Sequence, residues 1–252
     1  MALRALPKNQ PALASAPVNR RGTNHLLSLL PADDRARILK RCERVSLEIE
    51  TVLHEMDARV EHMYFPLSGM ISLVIASPDG GTIEIAAVGN EGVVDTLVAL
   101  GGERSHWRAL IQLGGDFLRI GTPEFLGELA RSEALTHLAN RFAQALTVQI
   151  SQSVVCNGLH SVEQRICRWL LMTHDRAGKN TLRLTQAFLA DMLGVRRPTV
   201  TVAAGMLQKA GFVDYARGKV TILNRKGLED TSCECYAEVN RKLEELLHWT
   251  PA

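Results

Sequence analysis

The spacing of apolar residues changes near residue 122, and this change constrains the fold more than any other feature of the chain. Before it, short runs with a period of two are separated by glycine-rich turns. After it, apolar residues from Leu135 to Val154 follow one another at spacings of three and four. A period of two is typical of strands, and spacings of three and four are typical of a helix. The sequence therefore predicts a β-domain that is followed by a helical part.

The predicted strands are short and closely spaced. They are bounded by turn sequences such as Gly101-Gly102 and Gly114-Gly115. Short antiparallel strands with such turns favour a roll or barrel. We expect an α+β protein with a β-roll at residues 23–122, which short helices between Leu26 and Cys42 precede. The six predicted strands are 45–52, 63–65, 70–76, 82–88, 107–113 and 117–120.

The helical part is predicted to begin at Thr122-Pro123-Glu124, with Thr122 as N-cap and Pro123 as the first helical residue. The next forty residues contain no proline, which favours one long helix over 123–157. Because a small β-domain does not bury such a helix alone, we expect the helix to form a dimer. The alternative is that its apolar stripe packs on its own roll. The residues assigned to the dimer contact are Leu138, Phe142, Leu146, Gln149, Ile150 and Ser153.

A C-terminal domain is predicted at residues 158–252. Asn157-Gly158 interrupts the apolar stripe, and Ser161 with Gln164 forms a capping box for the next helix. Further on, Thr185 can cap a short helix that Gly194 ends, and a second helix is expected to begin at Pro198. Two short β-runs follow within residues 211–223, and a final helix is expected over about 232–247.

The second of the two short helices carries side chains suited to nucleic acid. Arginine can donate two hydrogen bonds to guanine, and a helix N-terminus favours phosphate. The β-runs after it form a predicted wing whose basic tip can contact the sugar-phosphate backbone. The alternative is a helical hairpin with ordinary surface arginines. The predicted DNA contacts are Arg197, Arg196, Thr199, Thr201, Gln186, Arg217 and Lys219.

The charge distribution supports this interpretation. The chain of 252 residues has a net charge of +2, yet residues 181–226 contain eight basic and two acidic residues. This segment therefore has a local charge of +6, whereas the remainder is net acidic. A compact positive segment indicates a polyanionic partner.

At these residues the chain resembles the Crp/Fnr superfamily of bacterial transcription regulators. The resemblance covers about residues 24–228 and is most specific from Thr185 to Lys219. It implies a cyclic-nucleotide-binding-like β-roll, a long dimerisation helix and a C-terminal winged helix-turn-helix. It also implies a cytoplasmic homodimer that regulates transcription, with double-stranded DNA and RNA polymerase as partners.

The resemblance implies that Arg197 is the main residue that reads bases, and that Arg196, Thr199 and Thr201 are secondary candidates. Pro198 and Val202 stand where the best-known members have base-reading Glu and Arg residues. We therefore expect an operator that differs from the familiar one.

The predicted sensing domain departs from the cyclic-nucleotide-binding members of the superfamily. Those members carry a Phe-Gly-Glu motif and then an Arg-Ser/Thr-Ala motif, and the matching stretches here are Val93-Val94-Asp95 and 104–107. Val94 places a branched side chain where close approach to phosphate requires glycine. The expected effector pocket contains Asp95, Arg104 and Ser105, its ligand is unknown, and cyclic AMP is not expected to bind.

Neither an iron–sulfur cluster nor a metal ion is expected. Five cysteines, odd in number and scattered, indicate reduced thiols in a cytoplasm. Only Cys42 precedes Cys156, whereas the iron–sulfur members need several N-terminal cysteines. Cys233-Glu234-Cys235 lacks the spacing and the second pair of a zinc site, so free thiols are predicted.

Several other classes of protein are disfavoured. Residues 1–22 contain no acidic residue and no apolar period, so they are predicted to be a disordered lead, with a transit peptide as the alternative. The uncharged stretch 142–162 contains too many Gln and Ser residues to cross a membrane. No Gly-x-Ser-x-Gly or phosphate-loop motif is present, and we do not expect an enzyme. The main alternative is a small-molecule-binding module that uses its basic segment for RNA or protein contacts.

Overall fold

The computed structural model describes residues 22–78 and 80–250. The predicted disordered lead at 1–22 lies outside the described residues, apart from Gly22. The described chain begins with two short helices, α1 (His25–Ser28) and α2 (Ala32–Leu39). The side chain of Asn24 caps α1 and donates to the carbonyls of Pro66 and Gly92. These hydrogen bonds tie the first helix to the β-domain.

Within the described residues, seven antiparallel strands form the β-roll in two sheets, with the orders β1-β7-β3 and β2-β6-β4-β5. Phe65, Leu73 and Phe117 are fully buried in its core. The predicted strands 70–76 and 82–88 match the structure, whereas predicted strand 45–52 is divided between two strands. The strands are β1 (Glu43–Leu47), β2 (Val52–His54), β3 (His62–Pro66), β4 (Met70–Ala76), β5 (Thr82–Val88), β6 (Arg108–Leu113) and β7 (Gly115–Gly121).

The single long helix predicted over 123–157 is two helices, α3 (Thr122–Leu129) and α4 (Glu133–Leu159). Ser132 between them has extended backbone, and its hydroxyl accepts from the Leu135 N–H, which caps a new helix. Thr122 is not a cap but the first residue of α3, and its hydroxyl donates to the Val60 carbonyl. At its other end α4 continues through Gly158, because one glycine costs a helix only about 1 kcal/mol.

The apolar face of α4 packs against the β-roll of its own chain. Leu138, Phe142 and Leu146 belong to the roll's core. A Cβ atom on Gly92 would lie 2.0 Å from the Phe142 ring, so only glycine permits this close approach. The Gln149 amide donates to the Ala87 carbonyl and accepts from the Ala87 N–H. The packing agrees with the alternative in which the stripe covers its own roll.

The other predicted dimer residues of α4 also lie on its inner side. Ser153 is buried, and its hydroxyl donates to the Gln149 carbonyl and accepts from Arg168. Ile150 is half-buried against the core of the roll. Within the described residues, no helix is both long and apolar enough to cross a membrane.

The C-terminal domain contains the two predicted short helices and the wing. Ser161 and Gln164 form the predicted capping box. Thr185 caps the short helix Gln186–Leu193, and Gly194 ends that helix with left-handed backbone. The three-stranded sheet has the order β8-β10-β9. The elements of the C-terminal part of the chain are α5 (Val162–Ala177), β8 (Thr181–Arg183), α6 (Gln186–Leu193), α7 (Arg197–Lys209), β9 (Val213–Ala216), β10 (Lys219–Ile222), α8 (Arg225–Thr231) and α9 (Cys235–Leu247).

Apart from Tyr236, which packs against the core of the C-terminal domain, the final helix α9 lies outside that core. It begins at Cys235, three residues later than predicted, and lies along α4. Val239, Leu243 and Trp249 are buried in the core of the β-roll. The chain therefore returns from the winged helix to the N-terminal domain before it ends.

A buried ion pair joins α5 to the β-roll. The Arg176 guanidinium donates to Glu91 Oε1 from Nε at 3.0 Å and from Nη2 at 2.6 Å, and both side chains are 1% exposed. The guanidinium carbon lies 5.4 Å from the centre of the Trp249 ring. The ion pair therefore connects the roll, the first helix of the C-terminal domain and the C-terminal segment.

Breaking this ion pair should destabilise the protein strongly. Arg176→Ala leaves the Glu91 carboxylate buried without its partner, which should lower the free energy of unfolding by about 3–5 kcal/mol in urea denaturation. The matched control is Lys226→Ala, which removes an exposed ion pair with Asp230 and should cost less than about 0.5 kcal/mol. Equal losses in the two variants would show that the buried pair does not hold the domains together.

Candidate nucleic-acid interface

The predicted helix-turn-helix is present as α6, a tight turn and α7. Gly194 has a φ of 62°, the left-handed conformation that the turn requires. The Arg165 guanidinium donates to the Leu193 carbonyl at the end of α6. Val200 and Leu207 bury the inner face of α7 in the domain core. The opposite face of α7 is thereby left on the surface.

The first turn of α7 is exposed and basic. Arg196 is its N-cap residue and Arg197 its first residue, so Pro198 is the second helical residue and not the first as predicted. Both arginines are exposed. Neither side chain takes part in any of the side-chain hydrogen bonds or ion pairs found among the described residues. Within the part of the chain that the structure describes, their guanidinium groups are therefore available to an external acceptor.

Thr201 and Gln186 contact one another across the two helices. The Thr201 hydroxyl lies 2.8 Å from Gln186 Oε1 and 3.1 Å from the Arg197 carbonyl. Gln186 is the first residue of α6 and is half-buried, whereas Thr199 and Thr201 are exposed on α7. The structure therefore brings five of the predicted DNA contacts to one surface: Arg196, Arg197, Thr199, Thr201 and Gln186.

The wing is held beside this surface by a tyrosine. The Tyr215 hydroxyl donates to the Leu184 carbonyl at 2.7 Å. Burial raises the pKa of Tyr215 to about 12, although the nearby Arg197 charge acts in the opposite direction. The hydroxyl therefore stays protonated near neutral pH and can keep donating. Arg217 and Lys219 are exposed at the wing tip, where Arg217 has a φ of 51°.

Three further exposed residues of this domain were not among the predicted contacts. Arg183 is exposed on β8 and lies opposite Lys219 in the register of β8 and β10. Val202 and Met206 are 64% and 45% exposed on α7, and apolar side chains can contact thymine methyl groups. The strand pairing that places Arg183 beside the wing has no local signal in the sequence.

The predicted effector residues do not meet at one point. Asp95 and Ser105 are buried, and the Asp95 carboxylate accepts from Ser105 Oγ at 3.2 Å and from Trp107 Nε1 at 3.1 Å. Its other oxygen lies 2.6 Å from Nε2 of His54, which the sequence analysis had not assigned to the pocket. Arg104 instead lies on the surface, and its guanidinium donates to the Asp57 carbonyl.

His54 and Asp95 form a hydrogen-bonded pair beneath the roll surface. Burial opposes the charged imidazole, but the hydrogen bond and the negative charge of Asp95 outweigh burial and raise the pKa of His54. The side chain of Val94, next to Asp95, is fully buried in the core. The Asp95 carboxylate therefore has three partners within the chain.

Four potential metal ligands meet at a different place. The ligand atoms of Cys156, His160, Cys233 and Cys235 all lie within 4.8 Å of one another. None of the five cysteines, all of which lie in the described residues, forms a disulfide. The sequence analysis found no second pair for Cys233 and Cys235 because Cys156 is 77 residues from Cys233.

Comparisons with known proteins agree with this geometry. Residues 164–231 match the family of Crp-like helix-turn-helix domains. The transcriptional regulator SdrP of Thermus thermophilus is 25% identical over 174 residues, which cover 68% of this chain and 83% of that protein.

Two solved structures show the same fold. A transcriptional regulator of the Crp/Fnr family from Eubacterium rectale has a TM-score of 0.65 at 20% identity, covering 82% of this chain and 96% of its own. FixK2 from Bradyrhizobium japonicum has a TM-score of 0.65 at 15% identity, with coverages of 76% and 98%.

The fold combines a β-roll with a helix-turn-helix domain whose second helix has an exposed face. The chain is a transcription regulator of the Crp/Fnr type, and residues 164–231 are its Crp-like helix-turn-helix domain.

Cyclic AMP is expected not to bind the β-roll. The buried Val94 side chain, the occupied Asp95 carboxylate and the outward Arg104 leave no complementary site for a cyclic phosphate. Isothermal titration of the full chain with cyclic AMP should show no saturable heat in the micromolar range, and linear AMP serves as the control. Saturable binding of cyclic AMP alone would contradict this expectation.

Proposed function

We propose that the protein is a homodimer that binds specific double-stranded DNA sites with α7 in the major groove. The observation that carries this proposal is the exposed, basic first turn of α7, whose two arginine side chains have no partner among the described residues. Arginine at the start of a recognition helix can reach guanine O6 and N7 on the groove floor. On this proposal Arg197 reads a base, and Arg196, Thr199 and Thr201 contact bases or phosphates beside it.

The wing supplies backbone contacts in this proposal. Lys219 and Arg217 are exposed at its tip, and Arg183 lies opposite Lys219 on the adjacent strand. A lysine is a compact charge that suits a phosphate, and phosphate contacts position a protein without reading sequence. Gln186 is held by Thr201, so it is placed to orient the first turn of α7 or to contact the backbone.

The dimer contact is assigned to the outer face of α4. From Phe142 to Leu159 the helix has no charged residue. Val154 and Leu159 are 70% and 79% exposed, and Val155 is 37% exposed. The inner face is filled by the chain's own roll, so only the outer face remains for a second copy. A symmetric contact between two such faces would bury these apolar side chains.

In this proposal the β-roll senses a signal whose chemistry is open, and the chain acts by binding and not by catalysis. The two domains are joined through α5, so a change in the roll can reach the helix-turn-helix. We place the dimer in the cytoplasm, where it meets duplex DNA and RNA polymerase.

Arg197→Ala and Lys219→Ala should separate base reading from backbone contact. Binding sites are first selected from random DNA. Arg197→Ala should then weaken the binding free energy for the selected site by about 1–3 kcal/mol, and reduce the base preference at one position of each half-site. Lys219→Ala should weaken binding to the selected site and to random DNA alike. It should also lower the slope of log binding constant against log salt concentration by about one. RNA of the same sequence is the control ligand. If Arg197→Ala lowers the affinity for the selected site and for random DNA equally, Arg197 contacts only phosphate.

The selected sites should have two halves. Dimers with this motif bind half-sites whose centres are about 34–36 Å apart, one turn of B-DNA. Selection of single, unpaired half-sites would count against a dimer on DNA.

Val154→Glu should convert the dimer to a monomer. The new carboxylate would lie in an apolar contact between two α4 helices, where an unpaired charge is unfavourable. Multi-angle light scattering should then give the 27.7 kDa mass of one chain. Leu39→Glu, at an exposed apolar position on α2, is the control and should stay dimeric. A dimeric Val154→Glu protein would rule out this face.

A further inference from the structure

The strongest unexplained cluster of side chains lies where α4 ends. Cys156 is in the last turn of α4, and His160 is the residue that ends the helix. Cys233 lies in the short link after α8, and Cys235 is the first residue of α9. Two segments that are distant in sequence therefore bring three thiols and one imidazole together.

The distances within the cluster fit a single tetrahedral ion. Cys156 Sγ lies 3.5 Å from Cys233 Sγ, and Cys235 Sγ lies 3.5 Å from His160 Nδ1. With Zn–S distances of about 2.3 Å and Zn–N distances of about 2.0–2.1 Å, a tetrahedral site places neighbouring ligand atoms about 3.5–3.8 Å apart. An iron–sulfur cluster would spread its four ligands over two or four irons and so hold ligands of different irons further apart.

The surroundings are those of a closed structural site. Cys156, Cys233 and Cys235 are at most 3% exposed, and the His160 side chain is 12% exposed. His160 Nε2 lies 3.1 Å from a carboxylate oxygen of Glu234. A histidine that binds a metal through one ring nitrogen commonly donates from the other to a carboxylate, which fixes the ring orientation.

The charge of the surroundings also fits. Three thiolates and one Zn²⁺ ion carry a single net negative charge. The positive charges of Arg165 and Arg168 act on the Cys156 sulfur. Both arginines come from α5, the first helix of the C-terminal domain. They can offset the excess negative charge without competing as ligands.

We propose that Cys156, His160, Cys233 and Cys235 bind one Zn²⁺ ion. The site fastens the start of α9 to the end of α4, next to Ser161, where α5 and the DNA-binding domain begin. Binding requires the three thiols to lose their protons, so one ion replaces up to three protons. The site does not depend on how the protein recognises DNA, so either proposal can fail without the other.

Metal analysis of the untagged full chain tests this proposal. Protein purified under reducing conditions should contain about one zinc per chain by plasma mass spectrometry. If zinc is lost during purification, the reduced chain should take up one Zn²⁺ in competition with a chromophoric chelator. Cobalt substitution should give the thiolate charge-transfer band and the ligand-field bands of tetrahedral Co²⁺.

Variants separate the four ligands from the other thiols. Cys235→Ser and Cys156→Ser should lose the zinc, whereas Cys42→Ser, which changes a thiol outside the cluster, should keep it. His160→Cys supplies a fourth thiolate and should also keep it, which distinguishes loss of a ligand from loss of packing. A chelator should lower the melting temperature of the unchanged protein and of Cys42→Ser, but not that of Cys235→Ser.

Four results would overturn the proposal. They are a reduced chain that takes up no Zn²⁺, iron with acid-labile sulfide at these cysteines, a Cys156–Cys233 disulfide in the freshly purified protein, and unchanged zinc content in both serine variants. The last result would identify an adventitious ion only. Because the cobalt spectrum is measured on the unchanged chain, a variant that does not fold leaves the test intact.

Discussion

The ion pair between Arg176 and Glu91 is the interaction on which the arrangement of the two domains depends. Both groups are removed from water, so each needs the other, and the guanidinium also donates to the Met172 carbonyl of its own helix. Because Glu91 lies in the loop after β5 and Arg176 lies near the end of α5, the pair fixes the helix that carries the DNA-binding domain against the roll. Trp249 then covers the guanidinium from the C-terminal segment.

Other contacts extend this joint. Gln112 on β6 donates to the Thr173 hydroxyl of α5 and accepts from Ser72 on β4. The Thr82 hydroxyl of β5 donates to the Asp191 carbonyl of α6. Burial raises the pKa of Glu84 on β5 to about 7, although Ser72 and the charges of Arg168 and Arg176 act in the opposite direction. The sheet that faces the C-terminal domain thus makes polar contacts beside Val74 and Leu110, which belong to the apolar core of that domain. A change in the roll has a direct route to α6.

Different faces of α4, and its last turn, have different proposed roles. Its inner face completes the core of the roll, and α9 covers a second side. The proposed dimer face is the uncharged outer side, and the proposed zinc site closes the last turn. All three meet where α4 ends and α5 begins. A signal that is carried along α4 from the roll to the DNA-binding domain would cross this junction.

The sequence by itself determined the local structure. The change of apolar period placed the roll before the helices, the strands 70–76 and 82–88 were correctly bounded, and the capping residues Ser161 and Thr185 and the turn at Gly194 were identified. These features depend on a few neighbouring residues and on backbone preferences. The basic first turn of α7 was found in the same way, because arginines beside a helix start are visible in the sequence.

Tertiary structure decided which faces are covered and which distant groups meet. The spacing of Leu138, Phe142 and Leu146 shows an apolar stripe but does not say whether the roll or a second copy covers it. Arg104 and Asp95 looked like parts of one pocket, yet the backbone turns them to different environments. Cys156 and Cys233 are 77 residues apart, and only the return of α9 along α4 brings them within reach of one ion. Local patterns carry secondary structure, whereas burial and long-range contacts depend on packing of the whole chain.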